Sequence, residues 1–349
     1  MLVEELTKSV GQSPFISKDE IAGDLADIEL NNVTFETVDF TRAKFSNCTL
    51  NNVVFLNCNF SGADLTKVQG SMTLKSCEAS SCNLSNNSIS SLNAIQTDFT
   101  FSNFESCLLV DCNFFGCDFA SANFDNSKVA MSRFSDCGFD GATFRDITWE
   151  SFAMCDVSLI SSTWLPRKIH KGVMVKCDFS GQNLNNTELI ESSFTESKFH
   201  GVDLGKARLS NCHFTGSSFE GVDFFGSYLQ TCFFPDSSFT NCRMRSVSAP
   251  CNNFDKASMN NIDFGQADLY RARFNGASLL EVSFIDSELG QSNFSNTRME
   301  AVSFEGASIP FANFHAVAGT YELSRTQKRM IFGTDEKQLE AKSSSLMTT

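Results

Sequence analysis

The chain has 349 residues, with 41 acidic against 27 basic side chains and a formal net charge of −14. That balance argues against a nucleic-acid binder held by phosphate contacts, which needs clustered lysine and arginine, but it suits a partner that is itself basic or normally binds polyanions. There are 36 phenylalanines against 3 tyrosines and 5 prolines, so something repeated along the chain selects a large apolar ring without a hydroxyl.

The N-terminal MLVEELTKSV is acidic and lacks a basic stretch followed by an apolar one, which argues against a secretory signal. A short helix over Leu2–Val10 is expected within an N-terminal cap or flexible segment at 1–22. No apolar run approaches the roughly 20 residues of a membrane span. The 14 cysteines of a chain without an export signal point to free thiols in a reducing compartment, and so to the cytoplasm.

From Leu25 a large apolar residue recurs at every fifth position: Leu25, Leu30, Phe35, Phe40, Phe45, Leu50, Phe55, Phe60, Leu65. Leu74 comes nine residues after Leu65 instead of ten, so one residue is missing near Gly70, and the frame slip at 66–73 predicts a bulge or kink. The period then resumes and holds to Phe314, passing through Phe104, Leu109, Phe114, Phe119, Phe124, Trp149, Trp164, Ile169 and Met174. Most of the phenylalanines sit on these centres. The position two before each centre is small: Ala43, Cys48, Cys58, Ala63, Ser102, Cys112, Ala122, Ser192, Cys212, Ala267, Ala272 and Ala312. Every cysteine except Cys155 and Cys251 falls there. Cys107, Cys112 and Cys117, five apart, therefore read as core residues in a slot that Ala and Ser also fill, not as metal ligands. The residue before the centre is often Asp or Asn, a type that bonds neighbouring backbone at corners.

A period of five fits neither helix nor simple strand. It fits a coil of four straight sides, one pentad per side, with centre and slot pointing inward and equivalent residues twenty apart. Stacked coils about 4.8 Å apart place identical rings over one another. Tyrosine would bury an unpaired hydroxyl in such a column. The units ADL (63–65, 267–269), CNF (112–114), CDF (117–119) and ANF (122–124, 312–314) resemble the pentapeptide-repeat family, whose consensus is A-(D/N)-L-x-x with Phe allowed for Leu. The resemblance covers about Gly23 to Ala316. It implies an all-β, right-handed quadrilateral β-helix of 14–15 coils over 23–316, a rod on the order of 70 Å.

Two segments depart from the pattern beyond the slip. WLPRKIHKGVMVK (164–176) puts Arg167 in a small slot and gathers Lys168, His170, Lys171 and Lys176. Arg cannot occupy a narrow apolar lumen, so this irregular basic segment at 165–176 is expected to bulge outward and could serve as a contact loop. After the repeats, 317–349 is expected to form a helical cap and a disordered tail. Ser324 with Gln327 reads as a capping box opening a helix that carries Met330, Ile331 and Phe332 and ends at Gly333. The family resemblance implies a homodimer through this C-terminal end, with those three residues as contacts.

There is no Walker loop, dinucleotide glycine fingerprint, HExxH or CxxC pair, and His170, His200, His213 and His315 fall on different sides or coils. The expectation is a non-enzymatic protein without cofactor or metal. Its charge is sorted by side. One side carries Glu78, Asp98, Asp118, Asp140, Asp178, Glu220, Glu281 and Glu300 against Lys198 and Arg298; another carries Lys128, Lys168, Lys171, Arg208 and Arg271. In style the chain is similar to the quinolone-resistance pentapeptide proteins, which implies a DNA mimic binding a type II topoisomerase such as gyrase, with Glu78, Asp98, Asp118, Asp140, Asp178 and Glu220 as partner contacts. It is also similar to enterobacterial type III effectors, which implies a secreted adaptor acting in host cells through rod and tail. A scaffold without a dedicated partner is the third reading.

Overall fold

A computed structural model describes residues 15–17, 20–21 and 23–334. The expected helix at Leu2–Val10 and the final SSSLMTT lie outside the described residues. The chain is an all-β solenoid that divides into two compact units at Asp178/Phe179.

In the first unit one side of the coil is a sheet running from Phe15–Ser17 through Thr34–Glu36, Thr49–Leu56, Gln69–Lys75, Leu92–Ile95, Asn113–Phe115, Arg133–Ser135 and Ala153–Cys155 to Val173–Val175. A second sheet stacks Ser88–Ser90, Leu108–Val110, Lys128–Ala130, Thr148–Glu150 and Lys168–His170. The remaining two sides are held mainly by single parallel bridges, such as Asn83 to Asn103 to Asn123 and Glu78 to Asp98 to Asp118. In the second unit a seven-stranded parallel sheet runs from Lys198–His200 to Ala318–Glu322. Registers are parallel and one coil apart, as in Lys128 opposite Thr148 and Phe214's neighbour His213 opposite Phe233.

The five-residue chemistry explains this path. At many corners the centre's carbonyl accepts the N–H three residues on, as in Ala122 N–H to Phe119 O at 3.0 Å. The residue two after the centre takes positive φ, as at Asn86 (57°), Ser121 (58°) and Asn126 (61°), which is the turn type with a left-handed third residue. The centres are buried: Phe114, Phe119, Phe124 and Phe214 are 0 % exposed. Rings stack between coils, Phe104 on Phe124 at 4.7 Å and 6°, Phe274 on Phe294 at 4.8 Å and 3°. Within a coil they meet edge to face, Phe114 with Phe119 at 5.3 Å and 76°. Both are the orientations the aromatic quadrupole favours. No tyrosine is among the buried core.

The small slot does more than stay small. Ser102 Oγ donates to Ala79 O at 2.7 Å, Cys107 Sγ to Leu84 O at 2.8 Å and Ser127 Oγ to Phe104 O at 2.6 Å. Slot thiols and hydroxyls thus tie each coil to a carbonyl of the coil beneath, a donor role that reading cysteine only as a small hydrophobe leaves out.

Register changes by one residue at three glycines with φ near or above 100°. Between Glu20 and Asp24, around Gly23, the chain is one residue shorter than between their partners Asp39 and Lys44. Gly70 pairs with Leu50 but Met72 pairs with Val53, and Gly319 pairs with Met299 but Tyr321 with Val302. At the second slip buried Asn87, standing in a small slot, donates to Leu65 O at 2.6 Å and accepts Val68 N–H at 3.1 Å.

Residues Arg325–Met330 form a helix, α1, with Ser324 as N-cap and the reciprocal Ser324–Gln327 capping box. It stops earlier than the sequence suggests. Ile331 is already extended, and Phe332 N–H bonds Ala312 O at 2.8 Å while its carbonyl accepts Phe314 N–H at 2.7 Å. Open N–H and C=O groups on the last coil draw Phe332 into the ladder in preference to a further helical turn. Gln327 Nε2 also donates to Phe304 O and Ala307 O, closing part of that coil end. Among the described residues no helix is long and apolar enough to cross a membrane.

Candidate functional site

The sequence-predicted acidic side is partly assembled. Bridges place Asp39, Asn59, Glu78, Asp98 and Asp118 in one column of the first unit, continuing through Gly138 and Ser158 to Asp178. Glu78, Asp98 and Asp118 are consecutive, one carboxylate per coil at about 4.8 Å. Asp140 lies on the same side but two residues past Gly138, where its Oδ1 accepts Ser161 Oγ–H at 2.5 Å. Two uncharged residues separate Asp178 from Asp118. Glu220 belongs to the second unit, on strand Ser218–Glu220, with its carboxylate 3.9 Å from His200 Nδ1.

The carboxylates already have a local task. Asp98 Oδ1 accepts Thr100 N–H at 2.7 Å and Asp118 Oδ1 accepts Ala120 N–H at 2.9 Å. Asn59, Asn103 and Asn123 make the same bond from the same position. An asparagine therefore satisfies the turn as well as an aspartate, and what aspartate adds is charge. No cation stands among the outward residues of this side from Glu78 to Ser161.

In the irregular basic segment the backbone stays in the ladder, with Lys168–His170 paired to Thr148–Glu150. The change is at the corner. Asp146, in the coil below, has φ 55°, but proline's ring fixes φ near −65°, so Pro166 cannot repeat that corner. Pro166 is buried, and Arg167 points outward with its Nε 2.7 Å from Asp146 Oδ1. Arg167 thus leaves the lumen as expected, though by a turned corner and not by a displaced loop. Lys128 Nζ lies 3.0 Å from Glu150, and His170 Nδ1 lies 4.0 Å from the same carboxylate.

At the C-terminal end Met330 and Phe332 are exposed, and the Phe332 ring lies 6.2 Å from that of exposed Phe311. An open groove beside α1 is lined by Phe304, Ile309, Leu323, Gln327 and Met330.

The thiols form no metal set: among the described residues no group of His, Cys, Asp or Glu is placed to hold an ion. Burial pushes the Cys107 and Cys112 thiols up to about 11 and the Cys82 and Cys177 thiols up to about 12. Cys155 is half-buried and is raised first by its hydrogen bond to Asp156 (Sγ–Oδ2 3.1 Å). Cys251 is exposed. Since the thiolate is the reactive form, a disulfide reagent at pH 8 is expected to titrate Cys251 rapidly and Cys155 slowly. The buried slot cysteines Cys82, Cys107, Cys112 and Cys177 should react only after denaturation, and raising the pH to 9 should not release them. Rapid reaction of several thiols in the native protein would contradict this packing.

No curated protein matches the chain. Among solved structures it is similar to HetL, a pentapeptide repeat protein involved in heterocyst differentiation regulation from the cyanobacterium Nostoc sp. strain PCC 7120. The identity is 14 %, the TM-score 0.21, and the match covers 89 % of this chain and 95 % of that one. It is also similar to QnrB1, a plasmid-mediated fluoroquinolone resistance protein, at 20 % identity and TM-score 0.23, covering 71 % of this chain and 92 % of that one. The family model for pentapeptide repeats matches 24–69, 95–136, 174–211, 203–241 and 253–284. With a five-residue path, inward centres and small slots running through both units, the chain belongs to the pentapeptide-repeat family.

Proposed function

We propose that this protein is a non-enzymatic, cytoplasmic protein-binding solenoid whose acidic side engages a basic surface that otherwise binds duplex DNA, with a type II topoisomerase as the partner. The observation that carries the reading is the column Glu78, Asp98, Asp118, extended by Asp140: rigidly spaced carboxylates on a stretch of that side, from Glu78 to Ser161, without cations. Fixed like charges on a stiff frame attract a basic partner without an ordering cost on binding. A side-chain ladder is sparser than duplex DNA, which carries a charge per about 1.7 Å, so the expected affinity is moderate and falls with salt.

The test is gyrase supercoiling, with and without a quinolone, using the wild type and a variant with Glu78→Gln, Asp98→Asn, Asp118→Asn and Asp140→Asn. Asn59 and Asn123 make the turn bond, so the variant keeps its corners and loses only charge. The wild type should inhibit or protect the enzyme and the variant should be weaker by roughly tenfold or more, a loss of ~1.4 kcal/mol. No effect of the wild type at micromolar concentration, or equal effects of both, would overturn the proposal.

A further inference from the structure

The acidic column of the first unit is bordered on both flanks by apolar side chains that the core does not use. Ile95 and Phe115 stand opposite one another in adjacent coils, one corner away from Asp98 and Asp118, with Gln96 and Gly116 at the corner between. Phe115 is 46 % exposed. On the other flank Phe101 takes the corner that follows Asp98 and is 67 % exposed. Its φ is 59°, a conformation that favours glycine or asparagine and strains a bulky side chain. At that exposure little packing offsets the strain. Between the flanks the carboxylates are unpaired: among the described residues none of Glu78, Asp98, Asp118 and Asp140 forms an ion pair. Lys75 lies below Ile95 in the apolar row, across the corner from Glu78, so Asp98 and Asp118 are the centre of the free charge.

We propose that the acidic side receives a basic amphipathic helix of the partner, laid along the stacked coils with its cations on the carboxylate column and its apolar residues against Phe115 and Phe101. The proposal rests on the acidic side being the contact surface, and it names the element that this surface takes. Pitch and chemistry both select a helix. Carboxylates in successive coils repeat every ~4.8 Å, and the turns of a helix repeat every ~5.4 Å. Across three coils the mismatch is about 1 Å, within the reach of a lysine or arginine side chain. Alternate residues of an extended strand repeat every ~6.8 Å, so a strand laid the same way drifts out of step by about 4 Å over the same span. A segment crossing the coils instead would meet one or two carboxylates only. A purely cationic stripe would also leave Phe115 and Phe101 in water. A helix with apolar positions beside the basic ones covers them, and aromatic anchors within a charged rim are where binding energy concentrates. At physiological salt, where exposed charges are screened beyond about 8 Å, these apolar flanks hold part of the affinity.

Peptide binding to the full chain, followed by fluorescence anisotropy at about 150 mM salt, tests this without a topoisomerase. Three peptides of about 18 residues, long enough to hold a helix, carry equal numbers of lysines. The first places lysines and leucines in adjoining helical stripes. The second has serine for each leucine. The third has the composition of the first with lysine and leucine alternating, so that it is amphipathic only as a strand. The first should bind roughly tenfold or more tightly than either of the others. Phe101→Ser/Phe115→Ser should remove its advantage over the second peptide and leave the second unchanged. Serine already stands at both positions in the next coil, as Ser121 and Ser135, so this variant keeps the fold. Glu78→Gln/Asp98→Asn/Asp118→Asn/Asp140→Asn should weaken all three peptides by roughly tenfold. Equal binding of the first and third peptides would refute the helix, as would an advantage of the first over the second that survives in the phenylalanine variant. The two readings also fail apart. A wild type inert toward gyrase with this peptide order intact removes the topoisomerase and upholds the basic helix; peptide affinities unchanged by neutralising the carboxylates remove the acidic side and the helix with it.

Discussion

Gly70→Ala is expected to cost about 3 kcal/mol or more and to open the chain locally around 66–73. An added Cβ would lie 2.3 Å from Leu50 O and 2.8 Å from Leu50 C, both backbone atoms that cannot turn aside, and φ there is +100°. The strain is specific to the slip. Gly181 has φ +75° with nothing near an added Cβ, and neighbouring corners of the same type carry asparagine or serine. Gly181→Asn should therefore change stability by no more than about 0.5 kcal/mol. Lys67 and Lys75 flank Gly70, so limited trypsin digestion gives a local readout beside thermal unfolding. Cleavage at these lysines should accelerate by tenfold or more in Gly70→Ala and stay at the wild-type rate in Gly181→Asn. Equal resistance of Gly70→Ala and the wild type would show that the slip relaxes freely.

The same glycine marks how far the sequence could be read. The five-residue period, the inward centres and the small slots were legible because one steric demand is repeated along most of the chain. The missing residue near Gly70 was legible as a miscount. Its repair was not: Asn87 reads as one more small-slot residue, and only the folded register shows it reaching Leu65 O and Val68 N–H in the coil beneath. The acidic side was legible as charges twenty residues apart. That Asp98 and Asp118 also hold their own turns became visible only with the geometry, and it makes asparagine the substitution of choice, because lysine at those positions would remove a turn bond together with a charge. At the C-terminus local cues alone point to a longer helix than the one that forms, Arg325–Met330. The capping box at Ser324 and Gln327 is real, but the apolar residues that followed were claimed by the unfilled edge of the last coil, a long-range demand that no local pattern records.

A second large effect should appear where the lumen is most crowded. Phe152 occupies a position where other coils hold a small residue, and it is buried. Directly above it stands Gly172, where an added Cβ would lie 2.6 Å from Phe152 Cε1 and 2.8 Å from Met174 Cε. Phe152 also packs on Trp149, with ring centroids 4.7 Å apart, and Trp149 stacks on Trp164 at 5.1 Å. One oversized side chain is thus accommodated by one absent side chain in the next coil. Gly172→Ser should cost about 1–3 kcal/mol by overpacking, and Phe152→Ser about 3–5 kcal/mol by leaving a cavity. In the double variant both slots hold serine, as Ser127 and Ser132 do in ordinary coils, so adding Gly172→Ser to Phe152→Ser should cost almost nothing. The difference is a coupling energy of about 2 kcal/mol. Long repeat arrays need not unfold in one step, so a local probe is required. The chain has 2 tryptophans, Trp149 and Trp164, and both are at this place, so fluorescence during urea unfolding reports it directly. Additive costs for the two serines would mean that Phe152 and Gly172 are independent accidents of sequence; a coupling near the expected size would show that the lumen tolerates a large side chain only as a matched pair between adjacent coils.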